Sequence, residues 1–388
     1  MASRSYEPLA LYVHWPFCQS KCPYCDFNSH VRLEIDQRRW REALLRELES
    51  EAEADPDRRI TSIFFGGGTP SLMLPETAAA IIEAADRYWG LTDSAEITIE
   101  ANPSSVEIGR LRDIRAAGVN RISLGVQSFD DDALDFLGRA HSAGDARTAL
   151  DKVRSLFSRY SFDLIYSRPD QSVRAWKDEL AHALEFAGDH LSLYQLTIER
   201  GTAFFARHRD GAFELPDDET AARQFEHSRK TLENAGLKAY EISNHAEPGG
   251  ECRHNLAYWR YQDYVGIGPG AHGRVRRGGK KWATRRIAKP ENWLNQTESQ
   301  GDGLQEKTAL TDTEIFEEMT LMGLRLAEGL NLDAITRETG ARFEDQTNSR
   351  ALDNLIEGGF LAKSGSYLKA TPAGAQRLNA VTAKLLDA

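Results

Sequence analysis

Short runs of β-branched and aromatic residues recur along the first half of the chain, each followed by a longer stretch with apolar residues at helical spacing. The runs are LALYVH at 9–14, ITSIFF at 60–65, AEITIEA at 95–101, NRISLGV at 120–126, SFDLIY at 161–166 and HLSLYQL at 190–196. Between them the periodicity predicts helices over Asp36–Glu53, Pro75–Tyr88, Val106–Ala117, Gly144–Tyr160 and Val173–Phe186, with Thr69-Pro70 and Asn102-Pro103 as breaks. Six strands alternating with helices predict parallel βαβ units. Polar residues gather just after the strands, where a βα barrel assembles its sites. The pattern therefore predicts an α/β chain with a partial (βα)6 barrel; an open doubly wound sheet shares the same alternation.

Past Asn244 the pattern gives way to the loop-rich EPGGECRHNLAYWRYQDYVGIGPGAHG and the basic RVRRGGKKWATRR, with a hairpin predicted at Gly278-Gly279. From about Thr311 the chain reads as three helices and then GGFLAKSGSYLKATPAG, the strand, turn and strand of a small winged-helix-like domain with its wing turn at Ser364-Gly365. The expected organisation is a barrel over 1–243, an extension over 244–304 and the C-terminal domain over 305–388. The expected recognition-helix region, Phe343–Glu357, is acidic as often as basic, which argues against DNA reading.

Composition narrows the function classes. A chain of 388 residues with 41% hydrophobic content can bury a large core. Its net charge of −11 argues against broad nucleic-acid binding, because phosphate affinity needs a positive field. Met1–Pro8 has no basic start followed by an apolar run, and no apolar stretch reaches membrane-spanning length, so a cytoplasmic protein is expected. Three of the four cysteines crowd into residues 18 to 25, which suits metal ligation in a reducing compartment better than disulfides.

YVHWPFCQSKCPYCDF places Cys18, Cys22 and Cys25 in a loop directly after the first strand. Three thiolates at this spacing can each take one iron of a cubane cluster and leave the fourth iron open. Zinc is the competing reading, but it favours four ligands, and His14 and His30 do not supply the paired spacing. Gly66-Gly67-Gly68-Thr69-Pro70 ends the second strand, where glycines admit a ligand close to the backbone and free N–H groups can bind a carboxylate. A phosphate loop and a plain tight turn compete with that reading; no Gly-Lys-Ser/Thr follows, and Pro70 removes a donor. Glu100, Gln127 and Asp163 stand at or near strand ends as hydrogen-bonding candidates or simple caps. Arg139 could clamp a carboxylate or sit exposed at a helix end.

The cysteine spacing, with Tyr24 before the last cysteine, resembles the signature of the radical SAM superfamily. That resemblance implies a [4Fe-4S] cluster whose open iron binds S-adenosyl-L-methionine (SAM) and can cleave it to a 5′-deoxyadenosyl radical, with an electron donor as a required partner. YVHWPFC, FFGGGTPS, IEANP, LGVQSF and the tail from Thr311 are together similar to the family of oxygen-independent coproporphyrinogen III oxidase and its heme-chaperone (HemW) branch. The resemblance implies one SAM at Tyr12, Tyr24, Gly67, Glu100 and His272. It implies a second, in the oxidase, at Gly68, Thr69, Gln127, Arg139, Asp163 and Thr197.

Two departures separate the chain from the oxidase: Phe27 stands where the oxidase has a fourth cysteine, and the oxidase carries a longer arm before its cluster loop. His254, Asn255, Tyr258 and Trp259 match the HNxxYW motif that the family associates with heme, since an imidazole can ligate heme iron and aromatics can pack on a porphyrin. A histidine satisfied within a loop is the bland alternative, and Cys252 reads as a buried thiol or an axial thiolate. The basic segment 274–286 could pair with heme propionates, an anionic membrane surface or an acidic partner, or be a solvated hairpin. SRPDQS, with Ser167-Arg168, replaces the glycine-containing loop more usual at that point and could alter the second SAM pocket. The expected function is a heme chaperone that passes heme to an acceptor, such as a respiratory heme protein. The alternative is the radical-SAM enzyme coproporphyrinogen III dehydrogenase.

Overall fold

The computed structural model describes residues 6–387; residues 1–5, part of the N-terminal stretch scanned for a targeting signal, lie outside the described residues. All six expected strands form: β1 Glu7–Trp15, β2 Arg58–Gly67, β3 Leu91–Ala101, β4 Arg121–Gln127, β5 Arg159–Tyr166 and β6 His190–Gln195. They pair in chain order, each parallel to the next. Their apolar side chains, among them Leu11, Val13, Ile63, Phe65, Ile99, Leu124, Phe162 and Leu193, are buried in the main core.

Helices Gln37–Ala54, Pro75–Trp89, Ser105–Ala116, Ala143–Leu156 and Val173–Leu184 link the strands and bury Leu44, Leu48, Ile81, Leu150, Val153, Trp176 and Leu180 on the same core. Local signals fix their starts: Asp36, Ser104 and Ser172 side chains each accept an N–H of the first turn, and Ser142 with Asp145 forms a capping box. The fourth helix ends four residues earlier than its periodicity predicted. Phe157 is extended, and Arg159 and Tyr160 instead pair with Arg121 and Ile122 of β4.

The sheet continues past β1. Tyr264–Ile267 adds a seventh parallel strand against β1, followed by the antiparallel strands His272–Arg277, Lys280–Arg286 and Leu304–Ala309. The predicted turn at Gly278-Gly279 joins the second and third of these four, with φ of 58° and 78° as a two-residue hairpin requires. At the other end β6 is extended by Asn244–Ala246 and Lys238–Ala239, giving twelve strands in one linear order.

The C-terminal segment has a core of its own, including Ile315, Phe316, Met319, Ile335, Phe343, Leu352 and Leu368. Helix Asp312–Gly323 opens with a Thr311/Glu314 capping box, and the wing strands Leu361–Ser364 and Tyr367–Ala370 pair around Gly365. The region read as one recognition helix is two, Phe343–Gln346 and Ser349–Glu357, because the Asn348 side chain caps a new helix. No helix among the described residues is long and apolar enough to cross a membrane.

Candidate cluster and cofactor site

β1 delivers the cysteine loop and β2 the glycine loop, and the two are locked together by backbone bonds. Gly68 N–H donates to the Trp15 carbonyl at 2.7 Å and Thr69 N–H to that of Phe17 at 2.8 Å. Gly67 N–H donates to Glu100 Oε2 at 3.2 Å. The expectation that this loop offers free amides to a carboxylate is therefore corrected: two of the three amides align strand ends and the third is already taken by the Glu100 carboxyl. Glycine is required for the close approach, since a Cβ on Gly68 would stand 2.7 Å from the Phe17 carbonyl oxygen.

The cysteine loop is also clamped from outside. Asn28 Nδ2 donates to the carbonyls of Pro269 and Ala288, both at 2.9 Å, and His14 Nε2–H donates to the Asn28 carbonyl at 3.0 Å. The other His14 nitrogen then accepts from the Tyr12 hydroxyl. Cys18, Cys22 and Cys25 are free thiols, half-buried along one wall of a cavity of about 480 Å³. Thr69 O–H donates to Cys18 Sγ at 3.5 Å, Arg139 Nη1 donates to Cys22 Sγ at 3.3 Å, and Ser29 Oγ lies 3.6 Å from Cys25 Sγ. Burial raises the Cys18 thiol, yet each sulfur has a hydrogen-bonding group beside it and the three share one wall, so the residues present fit an iron–sulfur cluster held by these three cysteines.

Tyr24, Gly67, Gly68, Thr69, Glu100, Gln127, Arg139, Asp163 and Thr197 line the same cavity. Burial, with Asp163 as a like charge nearby, pushes the Glu100 carboxyl up to about 8, and burial pushes Asp163 up to about 6. The two carboxyls give the cavity hydrogen-bonding groups whose charge changes near neutral pH. Two residues assigned to SAM fall outside this lining. Tyr12 lies deeper, and His272 opens its strand with an exposed side chain. Asn102, which the residue-by-residue reading left out, does line the cavity and accepts from Arg139 Nη2. IEANP contained it, but periodicity gave no reason to separate it from the helix break.

Glu100, Ser123, Asp163 and Tyr194 are shared with a deeper polar chamber of about 170 Å³. The HNxxYW segment forms helix Arg253–Trp259, which supplies His254, Asn255 and Tyr258 to that chamber. His254 is buried and holds both nitrogens in hydrogen bonds, Nδ1 with Ser62 Oγ at 3.0 Å and Nε2 with Tyr258 Oη at 2.9 Å. It stacks on Phe64, and burial lowers its pKa to about 3. In this conformation it presents no free nitrogen to heme iron. Trp259 points elsewhere, into a cavity of about 580 Å³ between the sheet and the C-terminal domain, with Tyr261, Met319 and Leu330. Cys252 is buried, and burial raises its thiol pKa to about 12, as expected of an inert cysteine.

The basic segment is internally neutralised. Arg274 pairs with Glu318, Arg276 with Glu338, Arg277 with Glu51, Lys281 with Asp263, Arg285 with Glu306 and Arg286 with Glu51. Among the described residues Lys280 is the cation of this segment left without an ion pair, so little free charge remains for propionates, a membrane surface or a partner. Ser167 carries a φ of 56° where a glycine is usual, and its hydroxyl donates to Gln224 Oε1 at 2.6 Å; Arg168 is buried in a pair with Glu179.

Parallel strands feeding loops that gather three cysteines, a glycine turn and buried carboxylates in one cavity define a radical SAM protein. A family model described as the radical SAM superfamily matches residues 12–183, and one described as the HemN C-terminal domain matches 310–377. The chain belongs to the HemW-like family of radical SAM proteins. It is 38% identical to the protein named heme chaperone HemW in Escherichia coli, over 96% of this chain and 97% of that one. It is 39% identical to radical S-adenosyl methionine domain-containing protein 1, mitochondrial, of Bos taurus, over 97% of this chain and 87% of that one. The solved structure of coproporphyrinogen III oxidase (HemN) from E. coli shares the fold, with a TM-score of 0.82 at 22% identity over 98% of this chain and 91% of that one. Membership of the superfamily implies SAM and a [4Fe-4S] cluster as cofactors.

Proposed function

We propose that this protein is a heme chaperone: it binds heme, holds a [4Fe-4S] cluster on Cys18, Cys22 and Cys25 with SAM on the open iron, and transfers heme to an acceptor protein. The observation that carries the reading is Phe27. It stands two residues past Cys25, 60% exposed at the rim of the cluster cavity, where it supplies bulk and no thiol. The name borne by the E. coli relative supports the same reading. Tyr24, Gly67 and Glu100 are the residues proposed to hold the first SAM, with Tyr12 acting through His14.

His254, Asn255, Tyr258 and Trp259 are proposed as the heme segment. Heme ligation by His254 requires one of its two bonds, to Ser62 or to Tyr258, to open and free that ring nitrogen. The proposal places the protein in the cytoplasm, whereas the animal relatives carry names that place them in mitochondria. Heme titration of the cluster-loaded protein tests the reading. A Soret shift is expected that weakens in His254→Ala, and its absence from the wild type would sink the chaperone.

The second reading, coproporphyrinogen III dehydrogenase, is favoured by the intact cavity with its two titratable carboxyls. Anaerobic incubation with SAM, reductant and coproporphyrinogen III separates the two readings. Protoporphyrinogen together with 5′-deoxyadenosine establishes the enzyme; their absence alongside heme binding leaves the chaperone.

A further inference from the structure

The cavity of about 580 Å³ between the sheet and the C-terminal domain is built from segments that meet only in the fold. β1 brings Glu7 and Pro8, the turn after helix Arg253–Trp259 brings Arg260 and Asp263, and helix Asp312–Gly323 brings Met319. Helix Leu332–Thr339 adds Ala334 and Arg337, and the second wing strand adds Tyr367. None of these residues lines the cluster cavity or the chamber beneath it. Ligand sites commonly lie at such domain interfaces, with volumes of roughly 300–1,000 Å³.

Two features of the wall point to one chemistry. Part of it is apolar, with Met319, Leu326 and Leu330 buried against the cavity and the rings of Trp259, Tyr261 and Tyr367 beside them. Cations hold two of those rings: Arg325 stacks on Trp259 at 4.6 Å and Lys281 on Tyr261 at 4.7 Å.

The other feature is charge. Each of the four carboxylates in the wall already has a cation: Glu7 pairs with Arg58 at 2.9 Å, Asp263 with Lys281 at 2.6 Å, Glu328 with Arg260 at 2.7 Å, and Glu338 with Arg276. The fifth cation of the wall, Arg337, is exposed and forms no ion pair among the described residues. The Tyr367 hydroxyl accepts from Asn331 Nδ2 at 3.4 Å, which leaves its own proton to donate. A guanidinium with a free fork matches a carboxylate, and the aromatic wall matches a flat apolar body.

We infer that this cavity binds an aromatic carboxylate, with Arg337 taking the carboxylate and the wall around Trp259 taking the ring system. A porphyrin propionate and a smaller aromatic acid share that chemistry. The site requires neither the cluster, nor SAM, nor ligation of iron by His254, which lines the separate chamber.

Fluorescence anisotropy of 2-naphthoate and, separately, of metal-free protoporphyrin IX, each titrated with the full chain, tests the site. The porphyrin is used without iron so that no histidine can ligate it. At least one probe should bind. Arg337→Gln should weaken that binding about tenfold or more, the loss expected for a hydrogen bond to a charged group. Ala334→Trp, which fills the cavity without changing its charge, should abolish it. No binding of either probe, or wild-type affinity in either folded variant, overturns the inference. If Ala334→Trp fails to fold, the exposed Arg337→Gln decides alone. Variant-sensitive binding of the porphyrin alone makes the occupant the cargo, a result that rests on the chaperone reading; 2-naphthoate binding makes it a smaller acid. Failure of both probes leaves the Soret test of heme binding standing by itself.

Discussion

Gly67 combines a φ of 111° with a position where a Cβ would stand 2.6 Å from the His14 ring. Gly67→Ala therefore incurs both backbone strain and a clash against a histidine fixed by Tyr12 and Asn28. It should lower stability by about 2 kcal/mol or more, read as a drop in denaturation midpoint. Glu100 gives a second prediction, this one in pH. Its folded pKa of about 8 lies above the ordinary value, so the folded state binds the extra proton. The Glu100 contribution is fully present below the unfolded pKa and is lost as pH rises through about 8. Unfolding free energy of the cofactor-free protein should fall between pH 5 and 8, and Glu100→Gln should flatten that slope by about 2 kcal/mol. A slope unchanged in the variant would place the titration elsewhere. The three cysteines and Gly67 were legible because spacing and glycine runs are local. The loss of the free amides was not, since their acceptors, Trp15, Phe17 and Glu100, are distant in sequence.

Helix Val173–Leu184 shows what an element contributes beyond its apolar face. Its Glu179 accepts from Arg168 Nη2 at 2.6 Å, from Gln171 Nε2 at 3.1 Å and from Ser128 Oγ at 2.5 Å. It thereby ties the turns after β4 and β5 to the helix. Arg168→Ala leaves that carboxylate buried without its cation and should cost about 3–5 kcal/mol, whereas Arg168→Met with Glu179→Met should recover most of it. Chemical denaturation of the two variants beside wild type checks the difference. The helix was visible in the sequence, and so was the unusual SRPDQS loop. That Arg168 faces inward was not visible, because an arginine two residues past a strand end is ordinarily exposed and only the packing of Glu179 changes that.

At the scale of the whole molecule, the main core and the C-terminal core meet at a junction that carries polar contacts beside Tyr261 and Ile242. Arg274 and the Tyr261 hydroxyl both donate to Glu318, and Arg276 pairs with Glu338, linking the hairpin of the sheet to the C-terminal domain. Glu318→Ala combined with Glu338→Ala should loosen this junction while leaving each core intact, so calorimetric unfolding should separate into two transitions. A single transition at unchanged temperature would show that apolar packing carries the junction. The same scale sets the reach of the heme segment. Helix Arg253–Trp259 turns His254 toward the chamber beneath the cluster cavity and Trp259 toward the gap between domains, so one motif addresses both.

The sequence alone determined the alternation of strands and helices, the cysteine triplet and the wing, because each is set by neighbours within a few turns of chain. Tertiary structure decided which donors remain free. The glycine-loop amides, the Nδ1 of His254, most cations of 274–286 and the guanidinium of Arg139 could each be free as far as the sequence goes, and each is taken by a partner the fold supplies. A buried polar group must find a partner somewhere, and which partner it finds depends on the folded geometry that brings distant segments together.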